Sequence, residues 1–124
     1  MTESCEMYLK QILILKNEYG NVKAIDIAKN MGFSKPSVSN ALSSLKDKNF
    51  IKVSNGYIEL TDKGLIIANE VFEKFEIIKR FLINSLKMNV EDAKINACRI
   101  EHIITDSCYR EMIDYLKEEN NVRT

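Results

Sequence analysis

Apolar residues along this chain recur mostly at three- and four-residue spacings, the period of a helix that buries one face. In "TESCEMYLKQILILKNEYG", Met7, Ile12, Leu13 and Leu15 supply such a face. Thr2 or Ser4 can cap its start, and Gly20-Asn21 end it. A second, short helix is predicted in "VKAIDIAKNMG", with Ile25, Ile27, Ala28 and Met31 apolar and Gly32 as a C-terminal stop. Ser34 stands two residues before Pro36, the chain's only proline, and this pair opens a third helix along Val38, Ala41, Leu42 and Leu45. The period then changes. "FIKVSNGYIELT" holds two short β-prone runs around Ser54-Asn55-Gly56, and Asn-Gly is the strongest short hairpin signal. Thr61 to about Leu86 is one long helical pattern with the stripe Ile67, Val71, Phe75, Ile78 and Leu82. Glu91 and Asp92 open another helix, which carries "NACRIEHII", and Asp106 caps a last one ending in "DYLKEENN".

A short helix, a glycine turn, a polar-faced helix and a two-stranded hairpin make the winged helix-turn-helix plan. The expected fold is therefore mainly α, with a winged helix-turn-helix DNA-binding domain over residues 1–62 and a helical domain over residues 63–124. The second helix of such a pair enters the major groove of double-stranded DNA. Its first turns here read Ser34, Lys35, Pro36, Ser37, Ser39 and Asn40. Hydroxyls and an amide can bond base edges or phosphates, and Lys35 and Lys46 can meet phosphates. Val38, Ala41 and Leu42 are expected to face the core, and the hairpin around Asn55 is the wing. The rival reading is that these serines and lysines are simply solvated.

Charge supports the first reading locally and is silent globally. The net charge is zero, but residues 1–65 hold nine lysines against seven acidic residues, and residues 66–124 hold nine basic against eleven acidic. Within residues 23–52, Lys23, Lys29, Lys35, Lys46, Lys48 and Lys52 face only Asp26 and Asp47, a local excess suited to a polyanion.

At 124 residues and 45% apolar, the chain is long enough to bury a core without disulfides. Its cysteines, Cys5, Cys98 and Cys108, are odd in number and scattered, which does not describe a disulfide framework. No apolar run approaches a membrane span, and "MTESCEMYLK" lacks the basic-then-apolar pattern of a secretion signal. The expectation is a cytoplasmic protein with reduced thiols and no membrane partner. One histidine, no glycine-rich phosphate loop and no paired catalytic carboxylates argue against an enzyme.

That one histidine, His102, stands with Cys98 and Glu101 at i, i+3 and i+4, one face of a helix. Thiolate, carboxylate and imidazole together suit a divalent transition metal. Taken alone, the spacing more commonly describes a buried cysteine beside an exposed Glu-His pair. A third reading makes Cys98 or Cys108 a redox sensor, although only Arg110 among nearby residues would activate Cys108.

The sequence resembles the diphtheria-toxin-repressor family of metal-dependent transcriptional regulators. "EMYLKQI" at 6–12 resembles its first helix, where the methionine is a metal ligand, and "ACRIEH" at 97–102 its cysteine, glutamate and histidine ligands. "SKPSVSNALSSL" at 34–45 resembles its recognition helix, and "LTDKG" the start of its long helix. The resemblance implies a homodimeric, iron-dependent repressor of metal-homeostasis genes acting on an operator. Its metal ligands would be Met7, Cys98, Glu101 and His102, and the helices after Thr61 would bind metal and dimerise. Thiolate ligation implies that activation weakens as pH falls.

Departures accompany the match. Where family members carry histidine and glutamate ligands of an ancillary metal, this chain has Phe75, Lys79 and Lys94. A protonated ammonium has no lone pair to donate, so that site is expected to be absent, or replaced by the lysines' own charge. Compared with longer members bearing an SH3-like domain, the sequence reads as a short form. The manganese-selective branch has acidic ligands on the first helix and in place of the cysteine; here those places are Met7, Lys10 and Cys98. Sulfur donors favour Fe2+ over the alternative, Mn2+. The alternatives are a manganese-responsive regulator or a winged-helix regulator whose metal site is degenerate.

Overall fold

Thr2 accepts the backbone N–H of Cys5 at 3.1 Å and begins α1 (Glu3–Tyr19), with Glu3 and Glu6 placed where carboxylates favour the helix dipole. The computed structural model describes residues 2–123, with side chains described as far as Glu119. Val22 and Lys23, expected to begin the second helix, lie before it, Lys23 in extended conformation. Val22 O accepts the N–H of Ile58 at 2.7 Å, and Lys23 bridges to Tyr57. α2 (Ala24–Met31) starts after them, as Asp26 accepts the Lys23 N–H at 2.9 Å. Gly32 ends it at φ 68°, a left-handed conformation that favours glycine.

α3 (Lys35–Asp47) is capped by Ser34, with Pro36 in its first turn. The strands β1 (Ile51–Ser54) and β2 (Tyr57–Leu60) pair antiparallel with Ser54 opposite Tyr57. The hairpin loop is therefore two residues, Asn55 and Gly56, at φ 53° and 80°. Two positive φ values are what the right-handed twist of a tight hairpin demands.

Two compact units divide the chain, residues 1–70 and 71–124, and α4 (Asp62–Leu86) contributes to both. In the first unit Leu9, Ile12, Leu15, Val22, Ile27, Val38 and Leu45 are fully buried. Thr61 ties the wing to α4. Its hydroxyl donates to Asn49 O at 2.6 Å and accepts the Gly64 N–H at 3.1 Å, while its own N–H donates to Phe50 O at 3.1 Å. Gly64 then passes so close that an added β-carbon would stand 2.0 Å from Phe50 O.

In the second unit Phe75, Ile78 and Leu82 of α4 pack on Ala93 and Ala97 of α5 (Val90–Ile100). Of the expected α4 stripe, Ile67 yields its buried place to Ala68. Asn89 rather than Glu91 or Asp92 caps α5, accepting the Asp92 N–H at 2.8 Å. The last helix, α6 (Asp106–Arg123), is capped by Thr105 rather than Asp106, through the Cys108 N–H at 3.2 Å. Tyr115 meets Phe81 of α4 edge-on at 5.3 Å, and Leu116 is buried. No helix of the described residues is long and apolar enough to cross a membrane.

Candidate functional site

The DNA-facing candidates are built by the start of α3. Ser34 Oγ accepts the Ser37 N–H at 3.3 Å, and its hydroxyl bonds Ser37 Oγ at 2.9 Å. These two hydroxyls therefore fix the helix start, and Pro36 adds a rigid φ without a donor. Lys35, Pro36, Ser37, Ser39, Asn40, Ser43 and Lys46 are exposed, while Val38, Leu42 and Leu45 are buried at i, i+4 and i+7. One face of α3 is thus core and the opposite face is hydroxyl, amide and ammonium. Ser43, absent from the sequence-derived set, belongs to this face, and its spacing four residues after Ser39 is the signal.

The other basic residues are partly engaged. Lys52 pairs with Glu59 across the wing at 3.6 Å, and Lys23 lies over the Tyr57 ring at 5.0 Å. Lys48 Nζ stands 3.9 Å from Cys5 Sγ. Of the apolar residues of α2, Ile27 and Ala28 are buried whereas Ile25 is 40% exposed. Its place two residues before Ile27 puts it off the buried face of α2.

The candidate metal ligands in the second unit lie where α5 ends. Ala93 and Ala97 are buried four residues apart, and Glu101 continues that line. α5, however, stops at Ile100 rather than running through His102. Ile100 O takes the N–H groups of both Ile103 and Ile104 at 3.0 Å, which tightens the last turn. Glu101 becomes the C-cap in right-handed helical conformation, so its side chain still follows the buried line. It is 3% exposed, and Oε1 lies 3.2 Å from His102 Nε2. Both side chains are out of solvent.

A carboxylate removed from water is costly unless positive charge or donors compensate it. A carboxylate adjoining an imidazole is a donor pair that fits a divalent cation. Cys98 is exposed, and among the described residues no three His, Cys, Asp or Glu side chains converge to hold a metal. The spacing's alternative reading, a buried cysteine beside a solvated Glu-His pair, is the reverse of what is found. Met7 is half-buried on α1, and Lys10, on the buried face of that helix, is 4% exposed.

At the ancillary positions Phe75 is a core residue. Lys79 lies 3.1 Å from Glu76 and over the Phe75 ring at 5.4 Å, and Lys94 is 4.0 Å from Glu91. Each ammonium thus has a carboxylate one helical turn before it. Elsewhere, burial raises the Tyr8 hydroxyl above its usual pKa, and burial followed by the nearby Glu73 charge does the same for Tyr109. Cys5, Cys98 and Cys108 form no disulfide with one another.

Residues 1–65 match the family model of the iron-dependent repressor N-terminal DNA-binding domain. Residues 61–120 match that of the iron-dependent repressor metal-binding and dimerisation domain. The iron-dependent repressor IdeR of Mycobacterium leprae is 30% identical over 117 residues, covering 94% of this chain and 51% of that protein. The diphtheria toxin repressor of Corynebacterium diphtheriae is 26% identical over 119 residues, covering 95% and 53%. This chain spans about half the length of these relatives. An uncharacterised helix-turn-helix regulator of Methanocaldococcus jannaschii is 29% identical over 119 residues, covering 94% of this chain and 92% of that one. Among solved structures, the manganese regulator SloR superposes with a TM-score of 0.82 at 28% identity, covering 94% of this chain and 55% of that one. With one model matched across the helix-turn-helix and wing and the other across the α4–α6 unit, the chain belongs to the iron-dependent repressor family.

Proposed function

We propose that this chain is a cytoplasmic, homodimeric transcriptional repressor that binds a double-stranded operator when loaded with Fe2+. In this reading residues 1–62 read DNA, and residues 63–124 bind metal and dimerise. The observation that carries it is the Glu101–His102 pair, buried at 3.2 Å from each other at the end of α5. Met7, Cys98, Glu101 and His102 would hold the ion, which supplies positive charge and a link between donors on separate elements. Cys98 is exposed, so holding the ion requires its thiol to turn in from solvent.

The protein's own groups do the rest. Ser34 and Pro36 hold the start of α3, leaving Lys35, Ser37, Ser39 and Asn40 for the major groove and Lys46 for phosphate. In a two-fold dimer the two α3 helices must meet successive groove turns, about 34 Å apart. Metal regulates only if it is held more tightly in the DNA-competent arrangement than in the other. Moving the population from 1:99 to 99:1 takes a roughly 10⁴-fold difference in metal affinity.

The exposure of Cys98 outside any three-donor group among the described residues favours a second reading, a winged-helix regulator with a degenerate metal site. Mn2+ is the alternative ion, in line with the resemblance to the manganese regulator SloR. An anaerobic gel shift with and without a chelator separates these readings. Fe2+-dependent retardation that is lost in Cys98→Ala supports the proposal. Equal retardation in all lanes supports the degenerate site, and a response to Mn2+ alone identifies the other ion.

A further inference from the structure

Where the first turn of α2 meets the start of α3, Ala24, Ile25, Lys35, Val38 and Ser39 line an open depression of about 330 Å3. Val38 is buried to 1% exposure and forms part of its lining, whereas Ile25 is 40% exposed. Ile25 therefore keeps a substantial apolar surface open to solvent at the start of α2. The lining also includes Lys35 and Ser39, which belong to the exposed polar face of α3 together with Asn40. The depression is thus apolar in part and continuous with the surface that carries the ammonium and hydroxyl groups suited to DNA.

Among base edges in the major groove, the apolar group is the 5-methyl of thymine. We propose that Ala24, Ile25 and Val38, with the β-carbon of Ser39, form a socket for one thymine methyl in each half-site. Ile25, which lies outside the recognition helix, is then a specificity-determining residue. The inference rests on the reading that α3 enters the major groove, and adds a sequence preference carried by α2.

The test uses the full chain with Fe2+ under anaerobic conditions. A random duplex library is selected for binding, and each thymine of the selected duplex is replaced in turn by uracil. That replacement deletes one methyl group and leaves every hydrogen bond in place. One position per half-site is expected at which uracil weakens binding by about fourfold, the effect of one buried methyl-sized group. Ile25→Ala should weaken binding to the thymine duplex by a similar factor and bring the thymine-to-uracil ratio at that position to one. The substitution is at an exposed position and favours helix, so its melting curve should match the parent.

Equal binding of thymine and uracil duplexes at every position overturns the inference. So does an Ile25→Ala effect that is the same for both duplexes, which assigns Ile25 to sugar contact or to structure. A selection that enriches no duplex overturns the DNA-binding reading itself, and the socket with it.

Discussion

Gly64→Ala sets a helix-favouring change against a backbone clash, and the structure decides which wins. Within a helix, alanine is preferred over glycine by roughly 1 kcal/mol. The added β-carbon, however, would stand 2.0 Å from Phe50 O, 2.9 Å from its carbonyl carbon and 3.2 Å from its α-carbon. A comfortable carbon–oxygen approach is about 3.3 Å, so the two segments must part by about an ångström or more. Everything struck is backbone and cannot rotate away. Separation also pulls on the Thr61 N–H bond to Phe50 O and the Thr61 hydroxyl bond to Asn49 O.

Overpacking of this kind costs roughly 1–3 kcal/mol, and each loosened hydrogen bond about 1 kcal/mol. After the gain in propensity is subtracted, the expected net loss is about 2–4 kcal/mol. Urea denaturation followed by circular dichroism and tyrosine fluorescence should show the midpoint falling by about 1 M or more. Asn69→Ala, exposed on the same helix, is the control and should shift little. A Gly64→Ala midpoint equal to or above that of the parent would refute the reasoning about this close approach.

Ser34→Ala removes the cap of α3 and should cost about 1 kcal/mol in urea denaturation, with Ser34→Asp recovering most of it; no loss in the alanine variant contradicts the capping role. Cys98→Ala, at an exposed position, should leave the midpoint within about 0.5 kcal/mol of the parent while lowering Fe2+ affinity at least tenfold, as read by chelator competition; unchanged metal affinity removes Cys98 from the site. The raised pKa values of Tyr8 and Tyr109 favour the neutral phenols in the fold. Unfolded tyrosine ionises first, near pH 10, so their contribution is whole below that pH and is lost as pH rises above it. Urea midpoints should therefore fall as pH rises above about 10, with a smaller fall in Tyr8→Phe; a rise with pH in that range would contradict the burial argument.

Helix starts were legible because caps are local chemistry. Thr2 and Ser34 each need only the N–H three residues on, and Asn55-Gly56 needs only its own permitted φ values. Family membership was legible from two short motifs at opposite ends of the chain. What the sequence hid depends on contacts between segments distant along it. Val22 and Lys23 have helix-compatible neighbours but are drawn into backbone pairing with Tyr57 and Ile58. The end of α5 carries no glycine or proline, so nothing local announces the tightened turn at Ile100.

Burial of Glu101 and exposure of Cys98 were likewise unreadable from residue type, because the usual preference of each is the opposite. The Ala93–Ala97–Glu101 line explains the inversion once the buried face of α5 is known. The metal ligands Met7, Cys98, Glu101 and His102 remain a proposal, and so does the DNA-reading set on α3.

Reciprocal linkage tests the central claim most directly. If metal and operator share one conformational equilibrium, the factor by which Fe2+ raises duplex affinity equals the factor by which the duplex raises Fe2+ affinity. Both are measurable on the same anaerobic preparation, one by fluorescence anisotropy of the selected duplex and the other by competition with a chromogenic chelator. The account predicts two matching factors, both well above one and both reduced in Cys98→Ala. A duplex that binds equally with and without Fe2+, and leaves the affinity for Fe2+ unchanged, would contradict it.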